Sequence, residues 1–212
     1  MSSNVPATPP TYPATLSIDY PDRNLNRWTS FFRIIVIIPI AVILALVSGG
    51  AGWSWGARAG LGAGGILVLP LILMILFRKK YPKWWFDWNL ALSRFSYRVS
   101  AFLLLMRDEY PSTDEEQAVH LDLTYPNAQT QLGRGWPLIK WLLAIPHYIV
   151  LFFLYIAVIV VWIITWFAIL FTGRYPRGMF DFTLGVSRWT LRVEAYAFLL
   201  ITDTYPPFSL QS

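Results

Sequence analysis

The sequence predicts a mainly α-helical integral membrane protein that arose by tandem duplication of one unit and carries short β-strands outside the bilayer. Its composition is 56% hydrophobic and only 14% charged, whereas about a quarter of the residues of a soluble domain are charged. Several uncharged stretches are long enough to cross a hydrocarbon core of roughly 30 Å. One segment also occurs twice, about a hundred residues apart, which indicates a duplicated domain rather than a solenoid repeat.

The duplicated segment reads YPKWWFDWNLALSRFSYRVSAFLLLMRDEYP at residues 81–111 and YPRGMFDFTLGVSRWTLRVEAYAFLLITDTYPP at residues 175–207. Each copy is preceded at a distance by a short run of alternating polarity that ends in Tyr-Pro, LSIDYP at 16–21 and LDLTYP at 121–126. This alternation predicts a strand with one apolar face. We expect the two strands to pair with each other or with the C-terminal YPPFSL in a small sheet.

The chain divides into four predicted parts. Its first residues are rich in Pro, Ser and Thr and lack the charged and apolar regions of a signal peptide, which favours a flexible tail. An acidic run around Glu115 is typical of a solvated linker. The predicted parts are the tail at 1–15, membrane repeat 1 at 16–112, the linker at 113–117 and membrane repeat 2 at 118–212.

The first repeat predicts a membrane hairpin. Its uncharged stretches lie around residues 34–47 and 61–77, and a Gly-rich loop at 49–65 separates them. Basic residues flank both ends of this hairpin, so the positive-inside rule predicts a multi-pass membrane protein with both termini in the cytoplasm. Four tryptophans are predicted interfacial anchors: Trp53 and Trp55 in the loop of the hairpin, and Trp84 and Trp85 after its second segment.

The second repeat has one uncharged stretch, from Lys140 to Arg174, and no Gly-rich loop. As one straight helix it would be roughly 50 Å long at 1.5 Å per residue. Two structures are compatible with this length: a hairpin of two short helices turning near residues 153–157, or one crossing whose first turns lie in the interface before a kink at Pro146. Basic residues at both ends and the duplication favour the hairpin, which gives four hydrophobic segments in total.

Each copy of the duplicated segment predicts a helix with a charged stripe. The charged positions are separated by seven and four residues, which puts them on one face of an α-helix. Three interpretations stay open: ion pairs that only neutralise and orient the helix, arginines that anchor it to lipid phosphates, or a substrate or ion pathway. The stripe residues are Asp87, Arg94 and Arg98 in the first copy and Asp181, Arg188 and Arg192 in the second.

Composition and motifs argue against an enzyme. The sequence contains no cysteine, which excludes a disulfide, a thiolate metal site and a Cys nucleophile. His120 and His147 lie far apart without carboxylates beside them in sequence, so we expect no metal site. No phosphate-binding loop, nucleophile elbow or zinc-protease motif occurs, and we expect no cofactor. The net charge of +5 in so apolar a chain indicates an anionic membrane surface rather than nucleic acid.

Several motifs of the second copy resemble those of a known family. They are FTGRYP at 171–176, FDF at 180–182, SRW at 187–189 and TDTYPPF at 202–208, and they resemble DUF4389, a family of prokaryotic membrane proteins of unknown function. The first copy is a divergent version of the same pattern, so the resemblance implies two tandem copies. It implies a small bacterial or archaeal integral membrane protein and supplies no activity.

We therefore expect a non-enzymatic accessory or scaffold subunit that binds lipids, other membrane proteins or further copies of itself. One alternative is a small transporter or channel in which Asp87, Arg94, Asp181 and Arg188 meet at the interface between the repeats. Another is a module that recognises anionic lipid headgroups through its arginines.

Overall fold

The computed structural model describes most of the chain outside the first residues and the Gly-rich loop. The described residues are 12–21, 25–47, 68–113, 115–133 and 135–211. Trp53, Trp55 and the predicted loop lie outside them. The elements are β1 (Ala14–Ile18), α1 (Arg27–Val36), α2 (Ile38–Val47), α3 (Val68–Arg78), α4 (Lys83–Leu103), β2 (Val119–Leu123), α5 (Trp136–Leu143), α6 (Ile145–Thr172) and α7 (Arg177–Ala197).

The two strands pair with each other, as the alternating runs predict. They are antiparallel, and Leu16 lies opposite Leu121. Buried and exposed residues alternate along both strands, so one face of the sheet packs on the protein. The strand β1 begins at Ala14, inside the segment predicted to be a flexible tail.

Two pairs of consecutive helices are interrupted at equivalent places. The helices α1 and α2 meet at Ile37, two residues before Pro39, and α5 and α6 meet at Ala144, two residues before Pro146. Proline lacks the N–H group that bonds the preceding turn, and its ring clashes with the carbonyl four residues earlier. The α1–α2 bend is 48°.

The hairpin predicted in the second repeat is wrong. The helix α6 is continuous over 28 residues, about 42 Å at 1.5 Å per residue, and it passes through residues 153–157 without a turn. Neither Gly nor Pro occurs between Pro146 and Gly173, so nothing in this stretch interrupts the backbone hydrogen bonds. The helix ends at Gly173, whose φ of 73° is a left-handed conformation that glycine adopts without strain.

The predicted mainly α-helical fold is confirmed. The length and composition of the described helices support fewer membrane crossings than the four that the sequence predicts. Within the described residues, Trp136–Thr172 is the one helix long and apolar enough to cross a membrane, and the bent α1–α2 pair adds a second if it counts as one span.

The helices α6 and α7 run antiparallel along their length. Near one end the Tyr148 and Phe198 rings lie 6.2 Å apart. Near the other end the Thr165 hydroxyl lies 3.5 Å from the Met179 sulfur. Because 17 residues separate the α6 positions and 19 separate the α7 positions, the two helices lie side by side for roughly 25 Å.

The strand β1 runs along the opposite side of α7. At one end Tyr12 donates its hydroxyl proton to the Arg192 carbonyl at 3.2 Å, and at the other the Tyr20 ring lies 5.1 Å from the Phe180 ring. The strand β2 packs in the same way on α4. The molecule is therefore layered, with α6 outermost on one side, α4 and α7 in the middle, and the sheet on the other side.

Candidate functional site

The predicted stripe arginines lie between the middle helices and the sheet. Arg94 Nε donates to the Leu121 carbonyl at 2.8 Å, and Arg188 Nε donates to the Leu16 carbonyl at 2.8 Å. Those two leucines face each other in the sheet. Arg94 also forms an ion pair with Asp122 at 2.6 Å. Equivalent arginines of α4 and α7 thus hold the two edges of the sheet onto the helices.

The other two stripe arginines hold the segments that follow these helices. Arg98 donates to the Ser112 carbonyl at 2.8 Å. Arg192 donates to the carbonyls of Gln211, at 2.8 Å, and Ser209. Charge-assisted hydrogen bonds of this kind stabilise more than neutral ones, so these contacts dock each segment on its helix.

The stripe aspartates lie at the surface. Asp87 is exposed, and Asp181 forms an exposed pair with Arg177 at 3.7 Å, a geometry that contributes little stability. The structure therefore does not bring the six stripe residues together in one site. Of the two predicted anchors that the structure describes, Trp84 is 68% exposed and Trp85 is 3% exposed, so the Trp85 ring lies inside the protein.

Two ion pairs with buried cations lie at equivalent positions of the two repeats and were not predicted from the sequence. Arg33 pairs with Asp108, and Lys140 pairs with Asp203 at 2.6 Å. Each cation also donates to a backbone carbonyl, that of Phe102 or Thr202. The sequence carries a signal for these pairs. Arg33 aligns with Lys140, and both aspartates precede a Tyr-Pro dipeptide by two residues.

A cleft of about 270 Å³ opens between α4 and α7. Its walls carry hydroxyl groups from both helices, at positions that correspond in the duplicated segment: Ser93 with Ser187 and Ser96 with Thr190. The polar residues that line the cleft are Ser93, Ser96, Tyr97, Ser100, Tyr155, Ser187, Thr190 and Glu194.

One carboxyl group lies in this cleft. Tyr97 donates its hydroxyl proton to Glu194 Oε2 at 3.1 Å. Burial raises the pKa of Glu194 to about 7, and the hydrogen bond from Tyr97 opposes that rise. Burial and the charge of Glu194 raise the pKa of Tyr97 well above its usual value, so Tyr97 remains a donor. Glu194 was not predicted from the sequence, although it stands where the first copy has Ser100.

The histidines do not assemble a metal site. His120 lies 3.3 Å from an Asp19 carboxylate oxygen at the sheet surface, and His147 Nδ1 accepts from the Trp189 indole at 3.0 Å inside the protein. Across the described ranges, no group of three or more His, Asp or Glu residues could hold a metal ion.

Comparison with protein families returns one match. The model of "Domain of unknown function (DUF4389)" matches residues 137–209. This second repeat is similar to DUF4389. The match covers α5, α6, α7 and the segment held by Arg192, and it occurs once, so it supports the expected resemblance for the second repeat alone. Comparison with curated proteins and with solved structures found no match.

Proposed function

We propose that this protein is a non-enzymatic scaffold that lies with one face in the lipid of a prokaryotic cell membrane and presents its opposite face to a partner. The observation that carries this proposal is the layering of the molecule, with an apolar helix layer on one side and a polar sheet on the other. An accessory subunit needs both an anchor and an accessible surface, and this architecture supplies them.

Soluble monomers rarely expose large contiguous apolar patches, whereas α6 exposes large apolar side chains from Ile149 to Phe171. The buried residues of α6 are His147, Leu151, Val158, Thr165 and Ile169. Their spacing of four and seven residues traces one narrow seam, and most other positions around the helix are apolar. Large exposed side chains on α6 include Ile149, Phe152, Phe153, Ile156, Ile159, Val160, Ile163, Ile164, Phe167 and Phe171.

The outer face of the sheet has the opposite character. Thr15, Ser17, His120 and Asp122 are exposed there. In a sheet of two strands both strands are edges, and hydrocarbon cannot satisfy the backbone groups of an open edge. Since β1 runs alongside α7 and α6, an upright α6 would carry this polar face to the depth of the hydrocarbon. We therefore propose that α6 lies in the plane of the membrane, within one leaflet.

This orientation keeps both ends of α6 on the same side of the membrane as the sheet. The basic residues at those ends, including Lys140 and Arg174, favour the cytoplasmic side by the positive-inside rule.

We further propose that the first repeat is a divergent copy of the DUF4389 unit. Its support is the equivalence of the arginine contacts and of the two buried ion pairs described above.

The alternatives from the sequence gain less support. Arg94 and Arg188 donate to strand carbonyls, which leaves them less available for lipid phosphates. They also lie on the sheet side of their helices, with Asp87 and Asp181 at the surface, so these four residues do not line a common pathway. We propose membrane lipids and other membrane subunits, including further copies of this chain, as partners, and no nucleic acid.

Membrane binding can be tested with variants on either side of the molecule. Ile156 and Ile163 are 47% and 46% exposed, so Ile156→Lys combined with Ile163→Lys should leave the fold intact, as circular dichroism can verify. We expect this variant to be released from membranes by urea at pH 7, where both lysines are charged, because charges on the lipid face are costly. The matched control, Thr15→Lys with Ser17→Lys, should stay bound. Equal retention of both variants, or a wild-type protein that stays monomeric without lipid or detergent, would contradict the proposal.

A further inference from the structure

We infer that the cleft between α4 and α7 binds a small organic cation with a primary ammonium group, and that Glu194 is its counter-charge. None of the stripe arginines lines this site. It lies where the two duplicated helices face each other.

Three hydroxyl groups of the cleft, those of Ser96, Ser187 and Thr190, direct their protons to backbone carbonyls of their own helices. Ser96 donates to the carbonyl of Leu92 at 2.8 Å, and Ser187 donates to the carbonyl of Thr183 at 2.9 Å. Both acceptors belong to the preceding turn of the donor's own helix. A hydroxyl whose proton is engaged in this way offers only its lone pairs to the cleft.

The Thr190 hydroxyl also contacts Tyr155 of α6, at 2.8 Å. Because Thr190 donates its own proton to the Val186 carbonyl at 2.9 Å, Tyr155 is the donor in that contact. Tyr97 directs its proton to Glu194. The cleft is therefore rich in acceptors, and such a site calls for a ligand that donates hydrogen bonds.

The charge of the cleft also favours a cation. Among the described residues that line it, Glu194 is the only charged one. No ion pair with a Lys or Arg of the described chain engages its carboxylate. The titratable groups that face it are Tyr97 from α4 and Tyr155 from α6, and both are neutral donors. An ionised carboxylate has about four lone-pair sites, and Tyr97 occupies one.

Size and shape favour an organic cation over a bare ion. A volume of about 270 Å³ corresponds to roughly nine water-sized groups at about 30 Å³ each. Leu104, Phe198 and Leu199 form an apolar part of the wall, which suits a short hydrocarbon chain. A primary ammonium group has three N–H donors, which can reach the carboxylate and hydroxyl oxygens of both helices.

The test uses the full chain in nanodiscs and n-butylammonium as the probe, with binding followed by calorimetry at pH 8. We expect saturable binding that Glu194→Gln weakens at least tenfold and that Asp181→Asn, an exposed carboxylate on the same helix, leaves unchanged. Binding should also weaken at pH 5, where Glu194 is protonated. Circular dichroism of Glu194→Gln verifies that the fold is retained.

Neutral and inorganic probes distinguish an ammonium site from an apolar pocket and from a site for a bare metal ion. n-Butanol, which has the same carbon chain and no charge, should bind at least tenfold more weakly. Absence of saturable butylammonium binding, equal binding of butanol, or unchanged binding by Glu194→Gln would overturn the inference. Competition by Na⁺ or K⁺ at equal concentration would reassign the cleft to an inorganic cation and overturn the organic assignment.

Discussion

Removing the carboxylate of Asp203 should destabilise the protein more than a surface substitution does. Lys140 is fully buried, and its ammonium lies 2.6 Å from Asp203 Oδ1. Its ammonium also donates to the Thr202 carbonyl at 2.6 Å and lies 5.2 Å from the centre of the Tyr196 ring, and neither group neutralises the charge. Asp203→Ala therefore leaves a buried, unpaired cation, which costs about 3 to 5 kcal/mol. For a chain of this length, that corresponds to a fall in Tm of about 6 to 20 °C.

A double-mutant cycle separates the ion pair from the rest of the site. The combination of Lys140→Met with Asp203→Ala removes the unpaired charge, so we expect it to recover most of the lost Tm. The assay is thermal unfolding in mild detergent, followed by the fluorescence of the 11 tryptophans. Asp181→Ala, which breaks an exposed pair, should change the Tm by at most about 4 °C. If the Tm of Asp203→Ala fell by only about 4 °C, or if the double variant were as unstable as Asp203→Ala, the ion pair would not have the stabilising role described.

Two further predictions concern the C-terminal segment and pH. A Cβ atom at Gly185 would lie 2.9 Å from the Leu210 carbonyl oxygen, whereas one at Gly178 meets open space. Limited proteolysis should therefore remove the C-terminal residues of Gly185→Ala but not of Gly178→Ala. Folding raises the pKa of Glu194 from 4.5 to about 7. The protonated carboxyl group therefore contributes fully to the free energy of unfolding below about pH 4.5, and this contribution should be lost as the pH rises through 7. The loss is up to about 3 kcal/mol, and thermal unfolding of Glu194→Gln should lack this part of the pH dependence.

The strand pairing could be predicted because its cause is local. Alternating polarity marks one face of a strand for burial, and two such runs of similar length and sequence can pair. The fused α6 helix was missed for a different reason. Basic residues at both ends of an uncharged stretch suggested a hairpin, since a crossing helix would put them on opposite sides. A helix that lies in the membrane plane meets the same condition without a turn.

The roles of the arginines could not be deduced from spacing. The positions of Arg94 and Arg98 predict that both lie on one face of a helix, but spacing does not indicate what packs on that face. Their acceptors are mostly backbone carbonyls, which every residue carries, so the sequence contains no matching signal. Glu194 illustrates the opposite case. A carboxyl group at a position where the other copy has Ser100 departs from the repeat, and such a departure can mark a function that one copy alone has acquired.

The orientation of α6 is the central claim, and the ends of this helix test it most directly. The chain contains no cysteine, and a Cβ atom at Gly135 or Gly178 meets nothing within 4 Å, so Gly135→Cys, just before α5, and Gly178→Cys, at the start of α7, place single thiols before and after α6 in the chain without strain. Each variant is reconstituted in sealed vesicles of known orientation and treated with a membrane-impermeant maleimide, with Thr15→Cys marking the side of the sheet. We predict that all three thiols are labelled from the same side. Labelling of Gly135→Cys and Gly178→Cys from opposite sides would contradict the account.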